Sequence, residues 1–234
     1  MWYLSRSNSN KIKRLSLELI AQNGWADQFI VTKKVLNQYS AAIDNVSTNG
    51  LHKVGKLYLI KNIVDALIVA QHLVNQLKIH PGEFEKIAFR EHIVHGEIKE
   101  PKILRNYRRV LCREYKLPPV PNLQKELSRM SALIMDKEMK SLGEARGKQF
   151  ELCIASEEAG ELAKEISKYY RFAIVNDEKG MADVRETLIE ELYDMLYTMR
   201  YPIMIAKITE KELDNYADLR VPEIRAREIT YKHA

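Results

Sequence analysis

Two acidic clusters in the C-terminal third of the chain have the residue types and the spacing that metal chemistry requires. The first runs from Glu157 to Glu161, and the second runs from Glu190 to Asp194. Within each cluster two carboxylates are three residues apart, and residues at that spacing share one face of a helix. Two such helices would present four carboxylates to one point in space. Oxygen ligands of this kind suit a hard divalent cation such as Mg²⁺.

Helical periodicity indicates where those carboxylates point. With residues placed about 100° apart, the apolar residues of each segment form a single stripe. The two stripes comprise Leu152, Ala155, Ala159, Leu162, Ala163 and Ile166, and then Val184, Leu188, Leu192, Met195 and Met199. Glu158 and Glu191 lie at the stripe edges, and Glu161 and Asp194 lie just beyond. If the stripes pack antiparallel, these four acids meet beside the core. Two further acids turn toward solvent in this projection, Glu186 and Glu190.

The same acids also have a simpler interpretation as surface charges. Glu-rich helices are common, and Glu158 or Glu165 would then pair with Lys164 or Lys168. We favour metal binding because the paired acids recur on two consecutive helices. Acids at the edge of a core repel one another and are partly desolvated, which is costly unless a cation is bound.

The residue types in the two segments restrict the metal. A di-iron bundle requires Glu-x-x-His on two helices, and neither segment contains a histidine. Carboxylate ligands therefore favour Mg²⁺ or Mn²⁺ over iron or zinc. Elsewhere, His92 and His95 lie beside Glu91 and Glu97. That spacing is compatible with a zinc site, but we interpret the two histidines as surface residues.

Composition excludes several classes of protein. The chain has 234 residues, an apolar fraction of 46% and a formal net charge of +5, as expected of a globular protein. Its two cysteines, Cys112 and Cys153, are too few for a disulfide framework and favour a cytoplasmic location. The net positive charge would help to attract a polyphosphate or a nucleic acid by steering. The positive residues are scattered along the sequence, which argues against nucleic-acid binding.

The apolar segments do not resemble export or membrane signals. Glu18 interrupts the run from Leu15 to Ala21, so that run cannot form a signal-peptide core. The longest apolar stretch, from Ile60 to Leu77, contains Asp65 and other polar residues. We predict a buried amphipathic helix there, not a membrane span.

The pattern along the chain predicts an all-α helical bundle. Pro and Gly lie mainly between periodic segments, and alternating strand patterns are absent. Thr209 and Glu212 form a capping box that opens the last helix. Pro202 predicts a kink or an early end in the helix before it, and Pro222 raises the same question for the last helix. The predicted helices cover about residues 11–22, 26–43, 53–78, 82–95, 101–114, 122–141, 145–172, 183–206 and 210–229.

A proline-rich break at Leu117–Pro121 divides the chain into predicted domains 1–116 and 122–234. A shift of 129 residues (194 − 65) aligns Asp65 with Asp194 and also aligns Asn62 with Glu191. We call this offset the repeat shift. This match indicates a tandem duplication in which the first half has lost its acidic ligands. A chance match between two helical hairpins is the alternative.

The acidic clusters also carry a resemblance to a known superfamily. Glu157-Glu158-x-x-Glu161 followed by Glu191-x-x-Asp194 resembles the EExxE…ExxD signature of the all-α nucleoside triphosphate pyrophosphohydrolases. That superfamily includes MazG-type enzymes, dimeric dUTPases and phosphoribosyl-ATP pyrophosphatase. The clear resemblance covers about residues 125–230, including the segment 208–213, which is similar to the turn and capped last helix of MazG-like proteins.

This resemblance implies a Mg²⁺-dependent enzyme that cleaves a nucleoside triphosphate between its α- and β-phosphates. It assigns Glu158, Glu161, Glu191 and Asp194 to the metal, with Glu157 as a further ligand or a water-orienting base. It also implies paired chains, which here means either a homodimer or a pseudo-dimer fused within one chain. The alternatives are a non-catalytic helical binding or regulatory protein with a structural cation site, and a dUTPase-like enzyme.

The substrate contacts are less sharply defined by the sequence. For the phosphate tail, position favours Lys168 and Arg225 among the basic residues of this half. Three tyrosines are candidates for stacking on the base, although we favour core packing for them: Tyr169, Tyr193 and Tyr197. The spacer between the two acidic motifs is long for the superfamily, which predicts an enlarged loop around residues 176–183.

Overall fold

The computed structural model describes residues 3–80, 82–84, 87, 140–141 and 143–231, without the side chains of 22–27 and 227–231. The described part is helical and contains no strand, which confirms the predicted all-α bundle. Its main helices are α1 (Arg6–Asn49), α2 (Lys53–Gln76), α3 (Lys148–Ile174), α4 (Glu178–Thr198), α5 (Arg200–Ile205) and α6 (Glu210–Tyr231). Three predicted helices lie mostly or wholly outside the described residues, those at 82–95, 101–114 and 122–141.

Helix α1 is the central helix of the described part, because α2 and α3 both pack along it. The prediction of two helices here, 11–22 and 26–43, was wrong, since α1 continues through Gly24. A glycine inside a helix costs only about 0.5–1 kcal/mol, and tertiary packing of a long helix offsets that amount. Ser5 caps the start of α1 by accepting from the amide of Asn8 at 3.3 Å. Gly50 ends the helix with φ +73°.

The core is shared by both halves of the chain. Tyr39 of α1, Leu67 of α2 and Leu162 of α3 are all fully buried in it. A partly buried hydrogen bond also joins α1 to α3, where the hydroxyl oxygens of Ser40 and Ser156 lie 2.7 Å apart. The predicted boundary at 117–121 lies outside the described residues, so the division into 1–116 and 122–234 stays a prediction.

Helices α3 and α4 form an antiparallel hairpin with a short turn. Asn176 takes a left-handed conformation in that turn, with φ +53°. Asp177 caps α4 by accepting from the amide of Gly180 at 2.9 Å. The enlarged loop predicted over residues 176–183 was wrong, because α4 begins at Glu178. The long spacer between the acidic motifs extends the two helices instead.

The two prolines of the last third have different effects. Helix α4 ends at Thr198 and α5 begins at Arg200, so the prediction of an early end near Pro202 is confirmed. Helix α6 continues through Pro222. The predicted capping box of α6 is confirmed, since the amide of Thr209 donates to Glu212 at 2.8 Å and the amide of Glu212 donates to the Thr209 hydroxyl at 3.2 Å.

Within the described residues, α2 is the one helix long and apolar enough to cross a bilayer by length and composition. Its most apolar window has a mean hydropathy of 1.4, but 72% of that window is buried inside the protein. The buried residues include Asp65 and His72. Burial against α1 is the environment of a core helix, so this helix is weak support for a membrane span.

Candidate metal centre

The apolar stripes predicted for α3 and α4 form the floor beneath the acidic residues. All six stripe residues of α3 are buried, as are Leu188, Leu192 and Met195 of α4 and Met199 just after its end, while Val184 is half-buried. Helix α3 packs against α4 on one side and against α1 on the other. The acids at the stripe edges therefore sit where two packed helices meet solvent.

Three of the four predicted metal ligands converge at this edge. Glu158, Glu161 and Glu191 each place a carboxylate oxygen within 4.8 Å of the others. Glu161 is exposed, and Glu158 and Glu191 are half-buried. Asp194, also half-buried, is close enough that its negative charge raises the pKa of both Glu158 and Glu191. The four acids chosen from helical spacing thus belong to one electrostatic cluster, which we call the carboxylate cluster.

Glu158 is the most perturbed acid of the cluster. Its pKa is raised from 4.5 to about 8, mainly by burial and in addition by the charges of Asp194, Glu161, Glu191 and Glu157. A carboxyl group with this pKa holds a proton at neutral pH in the absence of a cation. Bound positive charge would favour the ionised form and release that proton.

Glu191 has a similar environment on the facing helix. Its pKa is raised to about 7, first by burial and then by the charges of Glu161 and Asp194. Smaller contributions come from Glu165 and Glu190. Glu190 is half-buried and acts on the cluster, so the prediction that it turns to solvent was only partly right, whereas Glu186 is exposed as predicted.

Glu165 also belongs to the site, although helical spacing alone did not select it as a ligand. It is only 5% exposed, it acts on the pKa of Glu191, and it pairs with Lys168. The sequence interpretation offered this ion pair as a surface contact, but Glu165 is buried. Its position one turn after Glu161 on the same face was the signal available in the sequence.

Lys168 continues the acidic face of α3 toward its C-terminal end. The sequence places it seven residues after Glu161 and three after Glu165, which keeps it on that face. Its ion pair with buried Glu165 joins it to a residue whose charge acts on Glu191, although Lys168 itself is not among the charges that shift the pKa of Glu158 or Glu191. Lys168 thus remains a candidate for contact with an anionic substrate.

Arg225 is not brought to the carboxylate cluster by any contact in the described residues. Its guanidinium donates to Glu18 of α1 at 2.9 and 3.1 Å. Its helix, α6, packs against α1 and α2. The charges that set the pKa of Glu158 and Glu191 also do not include Arg225. Its assignment to the phosphate tail therefore gains no support from its position.

The three candidate tyrosines pack in the core. Tyr169, Tyr193 and Tyr197 are 6%, 0% and 8% exposed. Tyr193 stacks against Tyr197 at a centroid distance of 6.1 Å and lies 6.4 Å from Phe84. Tyr169 contacts Phe29 of α1 at 5.7 Å. The favoured interpretation of core packing agrees with this burial.

The donor set of the cluster fits a hard cation. Every group that converges is a carboxylate, and neither α3 nor α4 contains a histidine. Oxygen ligands without nitrogen or sulfur suit Mg²⁺ or Mn²⁺. The raised pKa values of Glu158 and Glu191 indicate a surplus of negative charge that a divalent cation would neutralise.

Glu157 lies on the solvent side of the cluster. It is exposed, and its charge contributes to the raised pKa of Glu158. This position is open to a water molecule as well as to a cation. The histidines and acids of the alternative zinc site, residues 91–97, lie outside the described part of the chain. The same is true of Cys112, while Cys153 is an exposed free thiol.

Comparison with known proteins identifies no relative. No protein-family model matches the chain, and neither curated proteins nor solved structures give a significant match. The fold and the carboxylate cluster define a class in physical terms, an all-α bundle with an acidic site on a helical hairpin.

Proposed function

We propose that the chain is a Mg²⁺-dependent nucleoside triphosphate pyrophosphohydrolase of the MazG-like type. The observation that carries this proposal is the convergence of carboxylate oxygens from Glu158, Glu161 and Glu191 within 4.8 Å. Surface acids that serve only solubility gain nothing from such convergence, because like charges repel and desolvation adds to the cost. The three converging residues all belong to the five-residue signature that resembles the superfamily.

Glu158, Glu161, Glu191 and Asp194 would hold the cation. Bound Mg²⁺, with Mn²⁺ as an alternative, supplies neutralisation of phosphate charge and activation of water. Binding releases the protons that Glu158 and Glu191 carry in the cation-free protein, since both pKa values are raised. Affinity for the cation should therefore increase with pH up to about 8, the pKa of Glu158.

The reaction is attack of water on the α-phosphorus of the nucleotide. A new P–O bond forms to the water oxygen, the bond from the α-phosphorus to the bridging oxygen breaks, and pyrophosphate leaves. Glu157 is exposed beside Glu158 and accepts the proton of the attacking water in this proposal. Lys168, held by Glu165, contacts the phosphate tail.

The first experiment tests for the activity itself. The purified protein is incubated with Mg²⁺ and a panel of ribo- and deoxynucleoside triphosphates, and pyrophosphate and monophosphate are quantified. We expect the two products in equal amounts. Turnover of dUTP alone would indicate the dUTPase-like alternative. Absence of pyrophosphate across the panel from folded protein would contradict the enzyme proposal and favour a structural cation site.

The second experiment tests whether the carboxylate cluster is the site. In the variant Glu161→Gln/Asp194→Asn we expect kcat/KM to fall by at least about 100-fold, because two ligand charges are lost. The matched control is Glu178→Gln/Asp183→Asn, which neutralises two exposed acids on the same hairpin. Its activity should stay within about twofold. Equal activity of the two variants would show that catalysis occurs elsewhere.

A further inference from the structure

Two turns of the molecule have the same backbone conformation and are related by the repeat shift. Lys78 and Lys207, which that shift pairs, both adopt left-handed conformations, with φ +51° and +47°. The hydrogen bonds around them also match. In the first turn the bonds run from Leu77 N to Leu73 O (2.9 Å), from Lys78 N to Asn75 O (3.3 Å) and from Ile79 N to Val74 O (2.9 Å). In the second turn they run from Ala206 N to Pro202 O (3.0 Å), from Lys207 N to Met204 O (3.1 Å) and from Ile208 N to Ile203 O (2.9 Å).

The residues after each turn match as well. Glu83 accepts from the amide of His80 at 2.7 Å, as Glu212 accepts from the amide of Thr209 at 2.8 Å. The repeat shift carries Glu83 onto Glu212 and His80 onto Thr209. The turn at Asn176 also has a left-handed residue and the same backbone bonds from that residue and the next, but it lacks a glutamate that accepts from the amide three residues before it. The capping glutamate is therefore the feature that the two turns related by the repeat shift share.

Each capping glutamate forms an ion pair with a basic residue from the other half of the chain. Glu83 pairs with Arg185 of α4 at 2.6 Å, and Glu212 pairs with Lys56 of α2 at 2.8 Å. The repeat shift carries Lys56 onto Arg185. The two ion pairs are therefore reciprocal, as in a two-fold symmetric dimer where residue i contacts j and j contacts i.

The same shift identifies the first-half counterpart of the carboxylate cluster. It places Asn62 at the position of Glu191 and Asp65 at that of Asp194. Asp65 is 4% exposed, and it accepts from Arg220 at 2.6 and 3.2 Å and from Lys61 at 3.2 Å. Arg220 lies on α6, and the ion pair between Glu212 and Lys56 attaches the start of that helix to α2.

We propose that the two halves are copies of one helical unit, and that the Asp65 site is a degenerate carboxylate site in which the Arg220 guanidinium replaces a divalent cation. An Asn in place of a second acid leaves one buried carboxylate, whose charge a single guanidinium can balance with two hydrogen bonds. The chain then has one cation-binding cluster and one site closed by its own side chain. This inference does not depend on catalysis by the carboxylate cluster.

The test restores cation binding to the first half. The background variant Glu161→Gln/Asp194→Asn removes two of the four ligands of the second half, and its own response to Mn²⁺ sets the baseline. Adding Asn62→Glu and Arg220→Gln to this background should create a site for about one Mn²⁺ per chain. We expect Mn²⁺ to raise the melting temperature by several degrees and the free Mn²⁺ signal in electron paramagnetic resonance to fall accordingly.

Two controls make the result specific. In the same background, Asn62→Glu with Arg225→Gln removes an exposed arginine of the same helix and should give no Mn²⁺ response. A folded quadruple variant that does not respond to Mn²⁺ would overturn the proposal. If that variant unfolds without metal, recovery of the helical circular dichroism signal on adding Mn²⁺ supports the proposal, and no recovery overturns it.

A second measurement uses no engineered metal site. A double-mutant cycle on Asp65 and Arg220, with Asp65→Asn and Arg220→Gln, should give a coupling of at least about tenfold in the unfolding equilibrium constant. The exposed pair Glu18 and Arg225 should couple by about threefold or less. Equal coupling in the two cycles would show that Arg220 is not required as the counter-charge of Asp65.

Discussion

The charge of the carboxylate cluster changes near neutral pH because of Glu158 and Glu191. Their pKa values of about 8 and about 7 arise first from burial and then from neighbouring acids. Helical spacing identified both residues, but spacing contains no information on desolvation. Glu165 illustrates the same limit, because its burial depends on how α3 packs and not on where it stands in the sequence. The helix face on which these glutamates lie was predictable from the sequence, and their proton affinities were not.

Stability of the cation-free protein should decrease as pH rises from 6.5 to 8. Both glutamates have folded pKa values above 4.5, so the folded state binds more protons than the unfolded state in this window and loses stability as they ionise. We expect a loss of about 1–2 kcal/mol after allowing for solvent screening. The measurement is urea denaturation at several pH values.

The window is chosen to avoid an opposing effect. Burial lowers the pKa of His72 to about 4, so its contribution makes stability rise with pH mainly below about 6.5 and levels off above that value. The variant Glu158→Gln/Glu191→Gln should lose most of the slope between pH 6.5 and 8, and saturating Mg²⁺ should abolish it. A wild-type stability that is flat or rising in this window would contradict the electrostatic account.

The α3–α4 hairpin is the element that positions the site. Its turn is short, its second helix is capped by Asp177, and its two apolar stripes face one another and the core. Two glycines in this hairpin have opposite surroundings. A Cβ on Gly180 would overlap the ring of Phe172, whereas a Cβ on Gly160 would meet no atom within 4 Å. The close approach of α4 to α3 therefore requires glycine at one position and not at the other.

Alanine substitutions at these glycines should change stability in opposite directions. Gly180→Ala should lower the free energy of unfolding by about 1–3 kcal/mol, because the new methyl group forces Phe172 or the helix to move. Gly160→Ala should raise it by about 0.5–1 kcal/mol, because alanine restricts the unfolded chain and favours the helix. Chemical denaturation of both variants measures this pair. A stabilising effect of Gly180→Ala would show that the hairpin packs less tightly than the structure has it.

Helix α1 joins the described helices into a single packed unit. It contacts α2, α3 and α6, and its buried residues belong to the same core as those of α3 and α4. Ion pairs between the halves, such as Arg185 with Glu83 and Lys56 with Glu212, add to this connection. Each is at least partly exposed, so their contribution is to register more than to stability.

Residues 122–234 expressed alone should not fold cooperatively. Removal of α1 would expose the face of α3 that includes Tyr169, and would leave Ser156 without its contact to Ser40. We expect low helical content and no sigmoidal thermal transition, with recovery when residues 1–116 are supplied as a second chain. Cooperative unfolding of the isolated segment would instead establish it as an independent domain.

Local patterns in the sequence determined which residues of α3 and α4 face the core and how the last helix begins. The stripes of α3 and α4, the capping box at Thr209 and the interruption near Pro202 depend on neighbours a few residues away, and all are found in the structure. The continuity of α1 and the short turn before Glu178 were missed, because glycine content and spacer length do not report long-range packing.

The sequence by itself determined the identity of the carboxylate cluster, since helical spacing and stripe position suffice to select Glu158, Glu161, Glu191 and Asp194. Only the tertiary structure decided what those residues experience. Packing of α3 against α4 sets their desolvation and mutual repulsion. Packing of α6 against α1 and α2 directs Arg225 to Glu18 and Arg220 to Asp65. Charge interactions depend on distance and burial, and both are properties of the folded molecule.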